Sequence, residues 1–288
     1  MVNLPMSGNA LIRDAAQRLG ATSSTARLDA EVLLRYVLGL SRERLFLQWQ
    51  QPVPHAAAAR FDQLISRRLA GDPIAYLIGE REFMGLALVV NPGVLIPRPE
   101  TEHMVEWALR WLVSRATATV ADVGTGSGAI ATALAVLLPN EWSGRVIASD
   151  LSSDALTIAR TNLDRHDRRG RVAMVRGDLL TWCSGSLDLV VANLPYLRPD
   201  QVIGNPDLSA EPTLALVSGD DGLVAIRRLI ADLPRLLTGN GAVALEIDPS
   251  QHSRVRDELV ATLPTATLIT LPDLAGHPRC VIAAFVPN

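Results

Sequence analysis

The chain has 288 residues, 48% of them hydrophobic, enough for a sizeable core in one large domain or two smaller ones. Its formal charge of −3 gives no global attraction to nucleic acid or anionic membrane, and its 27 basic residues are all arginine, which excludes Schiff-base chemistry and a Walker-type lysine. Cys183 and Cys280 lie far apart and match no metal or thioredoxin-like spacing, so neither a disulfide framework nor a metal site is expected. The stretch from Met1 to Met6 has no basic or apolar signal region, and no window reaches ~18 uninterrupted apolar residues, so a cytoplasmic protein without membrane contact is expected.

From about residue 8 to 70 the apolar positions recur at three- and four-residue spacings: Leu11, Ile12, Ala15 and Leu19, then Ala30, Leu33, Leu34, Val37 and Leu38, then Phe61, Leu64, Ile65 and Leu69. Gly20, Gly39 and Pro52-Val53-Pro54 separate these runs into a small helical bundle, with Ser41 as the N-cap of a further short helix. Between Tyr76 and Ile96 the period becomes strand-like, Arg81 to Phe83 and Leu86 to Val90 joined across Gly85, which predicts a hairpin linker. The expected division is 1–75 helical domain, 76–98 β-hairpin linker and 99–288 main domain.

After Pro99, strands and helices alternate. Strands are predicted at Thr119–Val123, Arg145–Ser149, Arg171–Val175 and Leu187–Ala192, with helices at Gly128–Leu138 and Ser152–Leu163 between them. A helix at Gly222–Leu237, a strand at Ala242–Ile247, a helix at Gln251–Leu263 and closing strands at Thr267–Leu271 and Cys280–Val286 follow. This is doubly wound α/β architecture with a parallel sheet, in which ligands bind at the carboxyl ends of the strands. Charge divides similarly: residues 1–98 hold 11 Arg against 8 acids (+3), residues 99–288 hold 16 Arg against 22 (−6). That asymmetry is read either as two ordinary solvated surfaces or as a helical module that docks an acidic partner.

Asp122-Val123-Gly124-Thr125-Gly126-Ser127-Gly128 stands where the first of these strands ends and a helix begins. Glycines there let the backbone bend and approach a ligand, and the helix N-terminus offers N–H groups to a carboxylate. The spacing is G-x-G-x-G, not the G-x-G-x-x-G of a dinucleotide pyrophosphate loop. Asp150 ends the next strand, where a carboxylate reaches a ribose diol or else caps the following helix. Asp178, with the apolar Leu179 beside it, follows the third. This series resembles the class I S-adenosyl-L-methionine methyltransferases over nearly everything after residue 99. The resemblance implies that Gly124 to Gly128 cradle the methionine part, Asp150 the ribose, and Asp178 with Leu179 the adenine.

The fourth strand runs into Asn193-Leu194-Pro195-Tyr196. An amide or aromatic amine nitrogen is a weak nucleophile, so its site must accept hydrogen bonds from the NH₂ and aim the lone pair. Asn193 Oδ1 and the Leu194 carbonyl are the candidate acceptors, Pro195 holds that carbonyl in place, and Tyr196 offers a flat wall; a plain Asx-Pro turn is the bland alternative. No general base is needed, because the proton leaves after transfer.

The tetrad resembles that of amino-methyltransferases acting on adenine, cytosine and glutamine nitrogens. With Pro73-Ile74-Ala75-Tyr76-Leu77-Ile78-Gly79, Phe83-Met84-Gly85, Ile96-Pro97-Arg98-Pro99-Glu100-Thr101-Glu102, Glu211-Pro212 and Glu246-Ile247 added, the chain resembles the PrmC/HemK family of release-factor glutamine methyltransferases along almost its full length. That resemblance implies a seven-stranded Rossmann-like domain and N5-methylation of the glutamine in the Gly-Gly-Gln loop of class 1 peptide chain release factors. It also implies S-adenosyl-L-homocysteine as product and a helical domain that grips the factor. Leu194 departs from the proline usual in the family. It also feeds an alternative, an rRNA or DNA adenine methyltransferase, against which the −6 charge of the larger half counts. The Arg165–Arg171 cluster is a local basic exception, read as a solvated helix end. A non-catalytic S-adenosylmethionine-binding protein is the other alternative. A monomer with no direct nucleic-acid binding is expected. Arg98, Glu100 and Thr101 either cover the cofactor or pin the linker, and Glu211 either lines a glutamine entrance or is a buried carboxylate paired with an arginine.

Overall fold

Small polar residues open the first helices of the computed structural model, which describes residues 6–115, 117–166, 168–205 and 208–285. Ser7 accepts from the Ala10 amide and Ser41 from the Arg44 amide, each satisfying an N–H that the first helical turn leaves unpaired. The helices are α1 (Gly8–Leu19), α2 (Ala26–Leu38), α3 (Arg42–Leu47), α4 (His55–Leu69) and α5 (Ile74–Ile78). Ile12, Ala15, Leu19, Leu33, Leu34, Phe61 and Ile65, the positions picked out by their spacing, form their common core. A buried ion pair of Asp29 with Arg68 (2.9 Å) joins α2 to α4. Helix α5 corrects the expectation of strand character from Tyr76: Pro73 starts a short helix, and Gly79 ends it in the left-handed region at φ 75°.

The chain divides into two compact units, with the boundary between Glu80 and Arg81 and residues 208–210 grouped with the first. Strands β1 (Glu80–Phe83) and β2 (Leu86–Val89) make the expected hairpin, turned through Met84 and Gly85, both at positive φ. Phe83 and Leu88 are buried in the core of the larger unit beside Met104 and Val105. Those two residues belong to α6 (Pro99–Val113), a helix not expected from the sequence.

The larger unit continues β3 (Thr119–Val123), α7 (Ala129–Leu137), β4 (Arg145–Asp150), α8 (Ser153–Arg165), β5 (Val172–Arg176), β6 (Leu187–Ala192), α9 (Pro199–Val202), α10 (Thr213–Leu216), α11 (Val224–Leu236), β7 (Leu237–Glu246), α12 (His252–Thr262), β8 (Thr267–Pro272) and β9 (Pro278–Ala284). Among the described residues seven strands form one sheet in the order β5-β4-β3-β6-β7-β9-β8. It is mixed, not wholly parallel: β9 inserts antiparallel between β7 and β8. Val286, expected to end that strand, and Asp167 of the basic cluster lie outside the described residues, as do Met1 to Pro5.

Alternation along the strands builds two cores. Val120, Val146, Leu189 and Val191 face Met104, Val105 and Leu134 of α6 and α7. Ala121, Val123, Val190 and Val243 face Ile226, Leu229, Leu233 and Leu259 of α11 and α12. Both faces being covered explains why these strands read as unbroken apolar runs.

Candidate active site

The strand order reverses at the centre of the sheet, because β3 pairs on one side with β4 and on the other with β6. Open α/β sheets place ligands in the crevice at such a point. Register makes this concrete: Val175, Ser149, Val123, Ala192 and Leu245 form one row across five strands. The residues immediately after that row are Arg176, Asp150, Gly124, Asn193 and Glu246. Side chains far apart in sequence therefore emerge along one edge.

In the loop after β3, the Gly124 and Thr125 amides donate to Ser149 O at 2.9 Å. Gly124 has φ 72°, and a Cβ there would meet Leu194 Cδ2 at 3.0 Å. Gly128, φ 76°, lies so close to α8 that a Cβ would come within 2.8 Å of Ala159 Cβ. Asp122 is fully buried beneath the loop and accepts from Thr125 Oγ1 (2.6 Å) and the Ala131 amide (3.0 Å). Burial pushes its carboxyl up to about 7. Asp150 accepts from the Gly126 amide and the Ser152 amide, both at 2.9 Å, and burial raises its carboxyl against those bonds. Ser152, not Asp150, caps α8 by accepting from the Ala155 amide. Asp178 is ion-paired with Arg228 at 2.7 Å, and Leu179 takes a positive φ of 49°.

Asn193 Nδ2 donates to Thr101 Oγ1 at 3.0 Å, and Thr101 Oγ1 donates to Glu246 Oε2 at 2.6 Å. Tyr196 turns its hydroxyl to Glu246 Oε1 at 3.2 Å. The tetrad's backbone is pinned from behind: Gln251 Nε2 donates to Tyr196 O at 2.8 Å, and a Cβ on Gly222 would fall 2.1 Å from that same oxygen. Glu211 is buried with both carboxylate oxygens used, one by Arg98 and one by the Ile96 amide. That matches the paired structural carboxylate and not the entrance residue.

Gly124, Thr125, Gly126, Ser127, Asp150, Asp178, Leu179, Asn193, Leu194 and Pro195 line one cavity of ≈ 430 Å³, joined by Arg98 and Thr101. Asp122, Gly128, Tyr196 and Glu211 stand outside that lining and support it from beneath or behind.

Residues 10–79 match the PrmC N-terminal domain family, and residues 120–204 match a methyltransferase domain family. Over 273 residues the chain is 44% identical to the release factor glutamine methyltransferase of Moorella thermoacetica, covering 94% of this chain and 95% of that protein. The chain belongs to the release factor glutamine methyltransferase family. The relative from Nitratidesulfovibrio vulgaris is 40% identical over 95% of this chain and 93% of its own. A methyltransferase structure from Pyrococcus furiosus, 17% identical, superposes with a TM-score of 0.52 over 77% of this chain and 98% of that one, which shows the same fold.

In this family member several residues at the site had been given no role from sequence. Glu246 stood in a predicted strand and in the Glu246-Ile247 motif without a role of its own, Gln251 only at a helix start, and Arg228 only within a helix. Asn162, on the buried face of α8, donates to Ser127 O (2.8 Å) and Val89 O (3.0 Å) and accepts from the Val89 amide (2.6 Å). An asparagine at a core position of an amphipathic helix was the available signal, since buried amides occur where backbone needs partners.

Proposed function

We propose that this protein transfers a methyl group from S-adenosyl-L-methionine to the side-chain nitrogen (N5) of the glutamine in the Gly-Gly-Gln loop of class 1 peptide chain release factors, modulating translation termination and leaving S-adenosyl-L-homocysteine. One observation carries the reading: the glycine loop with Asp150 and Asp178 and the Asn193–Pro195 turn open into the same cavity. Similarity to release factor glutamine methyltransferases supports the same substrate.

The residues present fit the cofactor. Gly126, at φ 55°, has open space where a Cβ would stand, the nearest atom being 4.0 Å away, so a ligand can approach the backbone. Asp150 and Asp178 supply acceptors for hydroxyl and amino groups, and Leu179 an apolar contact, so Gly124 to Ser127, Asp150, Asp178 and Leu179 would hold the molecule. When bound, the cofactor supplies an electrophilic methyl group.

The protein's own residues then orient the acceptor. Asn193 Oδ1 and the Leu194 carbonyl take the two N–H bonds of the glutamine amide, which leaves the nitrogen lone pair free and aimed. Pro195 limits the turn, and Leu194, buried against Gly124, holds the carbonyl with side-chain packing. The proton departs after transfer. Residues 1–75 act as the docking module for the release factor, 76–98 as the connecting hairpin and 99–288 as the methyltransferase domain of a cytoplasmic monomer that makes no direct nucleic-acid contact.

The test is incubation with labelled S-adenosylmethionine, a release factor, its Gly-Gly-Ala variant and naked rRNA, followed by peptide mass mapping. Label on the glutamine of the intact factor alone is the expected result. Label on rRNA would transfer the assignment to an adenine methyltransferase, and cofactor binding with no label anywhere would leave a non-catalytic binding protein.

A further inference from the structure

We infer that Glu246, acting through the hydroxyl of Thr101, is a positioning residue that decides which end of the Asn193 amide faces the acceptor nitrogen; the inference rests on the methyl transfer proposed above. An asparagine side chain ends in two groups of almost equal size, one an acceptor and one a donor. Only the oxygen can receive an N–H of the substrate amide. With the NH₂ in its place, donor would oppose donor and the acceptor would be turned away.

The surroundings of Asn193 select one of the two. Glu246 is 2% exposed and Thr101 4% exposed, so solvent does not satisfy them. Two hydroxyls point at the Glu246 carboxylate, Thr101 at 2.6 Å and Tyr196 at 3.2 Å. In its ionised form Glu246 only accepts, so the Thr101 proton is then committed to Glu246 and the Thr101 oxygen is left with lone pairs. The group 3.0 Å away on Asn193 must then be the donor, Nδ2. Glu246 thus fixes Thr101, and Thr101 fixes the amide, across β7, α6 and the turn after β6. Neither residue need touch the substrate glutamine for this to hold.

Glutamine at 246 breaks the logic without changing the shape. Its NH₂ can donate to Thr101, which then can donate to Asn193 Oδ1, so both amide orientations become satisfied. Valine at 101 removes the intermediary, and serine retains it. Full-length wild type, T101S, T101V, E246Q, N193A and the double variant T101V/N193A are compared by labelled methyl incorporation into a release factor, with cofactor Kd from calorimetry. T101V and E246Q are expected to lower kcat at least ~10-fold while cofactor Kd and KM for the factor move less than ~3-fold, and T101S recovers most of the turnover. Because Thr101 works through Asn193, T101V/N193A should be no slower than N193A alone.

Wild-type kcat in both T101V and E246Q overturns the inference, as does a double variant slower than N193A by the full effect of T101V. Should T101V lose cofactor binding through misfolding, the near-isosteric E246Q carries the comparison. A wild type that methylates no factor removes the reading beneath the inference, a result distinct from an active wild type indifferent to these substitutions.

Discussion

An amide nitrogen shares its lone pair with the adjacent carbonyl, so a site that methylates it works mainly by holding it still. Replacing Asn193 with alanine should therefore leave cofactor Kd unchanged in calorimetry while lowering kcat on the order of 100-fold, the scale of a lost positioning contact; unchanged turnover would remove its role. Asp150→Ala should instead act on the cofactor. It deletes a carboxylate that also holds the Gly126 amide, so Kd for S-adenosylmethionine should weaken by roughly 10- to 100-fold, and an unaltered Kd would contradict the ribose assignment. Both positions are legible in the sequence as strand ends, Asp150 closing β4 and Asn193 directly following β6. Partners distant in the sequence are another matter. Glu211, for instance, is committed to Arg98 and Ile96, more than a hundred positions earlier, and no local pattern announces such a partner.

Elements longer than two turns were legible wherever their spacing was regular, and their bounds fell within a few residues. Helix α6 is the instructive exception. Pro97-Arg98-Pro99 reads as a breaker, yet Pro99 occupies the first helical position, where its fixed φ suits a helix and its missing N–H costs nothing. Passing over α6 left Thr101 without a face to point from, which is why its partner on β7 stayed hidden. Helices α5, α9 and α10, of five and four residues, are too short to show a period. Strand β9 was expected, but its antiparallel direction was not, because a run of apolar residues carries no sign of strand direction. Asn162 shows how far one side chain can tie such pieces together, since its three bonds join α8 to the hairpin and to the glycine loop. Asn162→Ala should lower the free energy of unfolding by roughly 2–4 kcal/mol, because it leaves the buried Ser127 carbonyl and the part-buried backbone groups of Val89 unpaired. Urea denaturation measures this, and a loss below roughly 0.5 kcal/mol would show that those groups find other partners.

At the scale of the whole molecule, two buried carboxyls stand behind the cavity lining, Asp122 bonded to the glycine loop and Glu246 to Thr101 and Tyr196. Burial raises both to about 7, from 3.8 and 4.5 respectively. Around Glu246 the negative Glu100 of α6 reinforces this, while Arg279 of β9 and the hydroxyls of Thr101 and Tyr196 oppose it. Between the unfolded and folded values, the folded protein holds protons that the unfolded chain has released, so each rise in pH favours unfolding. The loss begins near 4, is complete a little above 7 and levels off at higher pH. The exposed carboxylates of Asp200 and Asp221 are shifted the other way by Arg198 and Arg227, and their small contributions vanish only as pH falls below about 4. The urea midpoint should therefore peak on the acidic side of neutrality and decline from about pH 5 to pH 7.5. Asp122→Asn should flatten that decline, whatever it does to the absolute midpoint, because an amide has no proton to release over the range. A variant whose midpoint falls in parallel with wild type would show that Asp122 is ionised in the fold at ordinary pH, and that the glycine loop is anchored by a charge and not by a neutral acid.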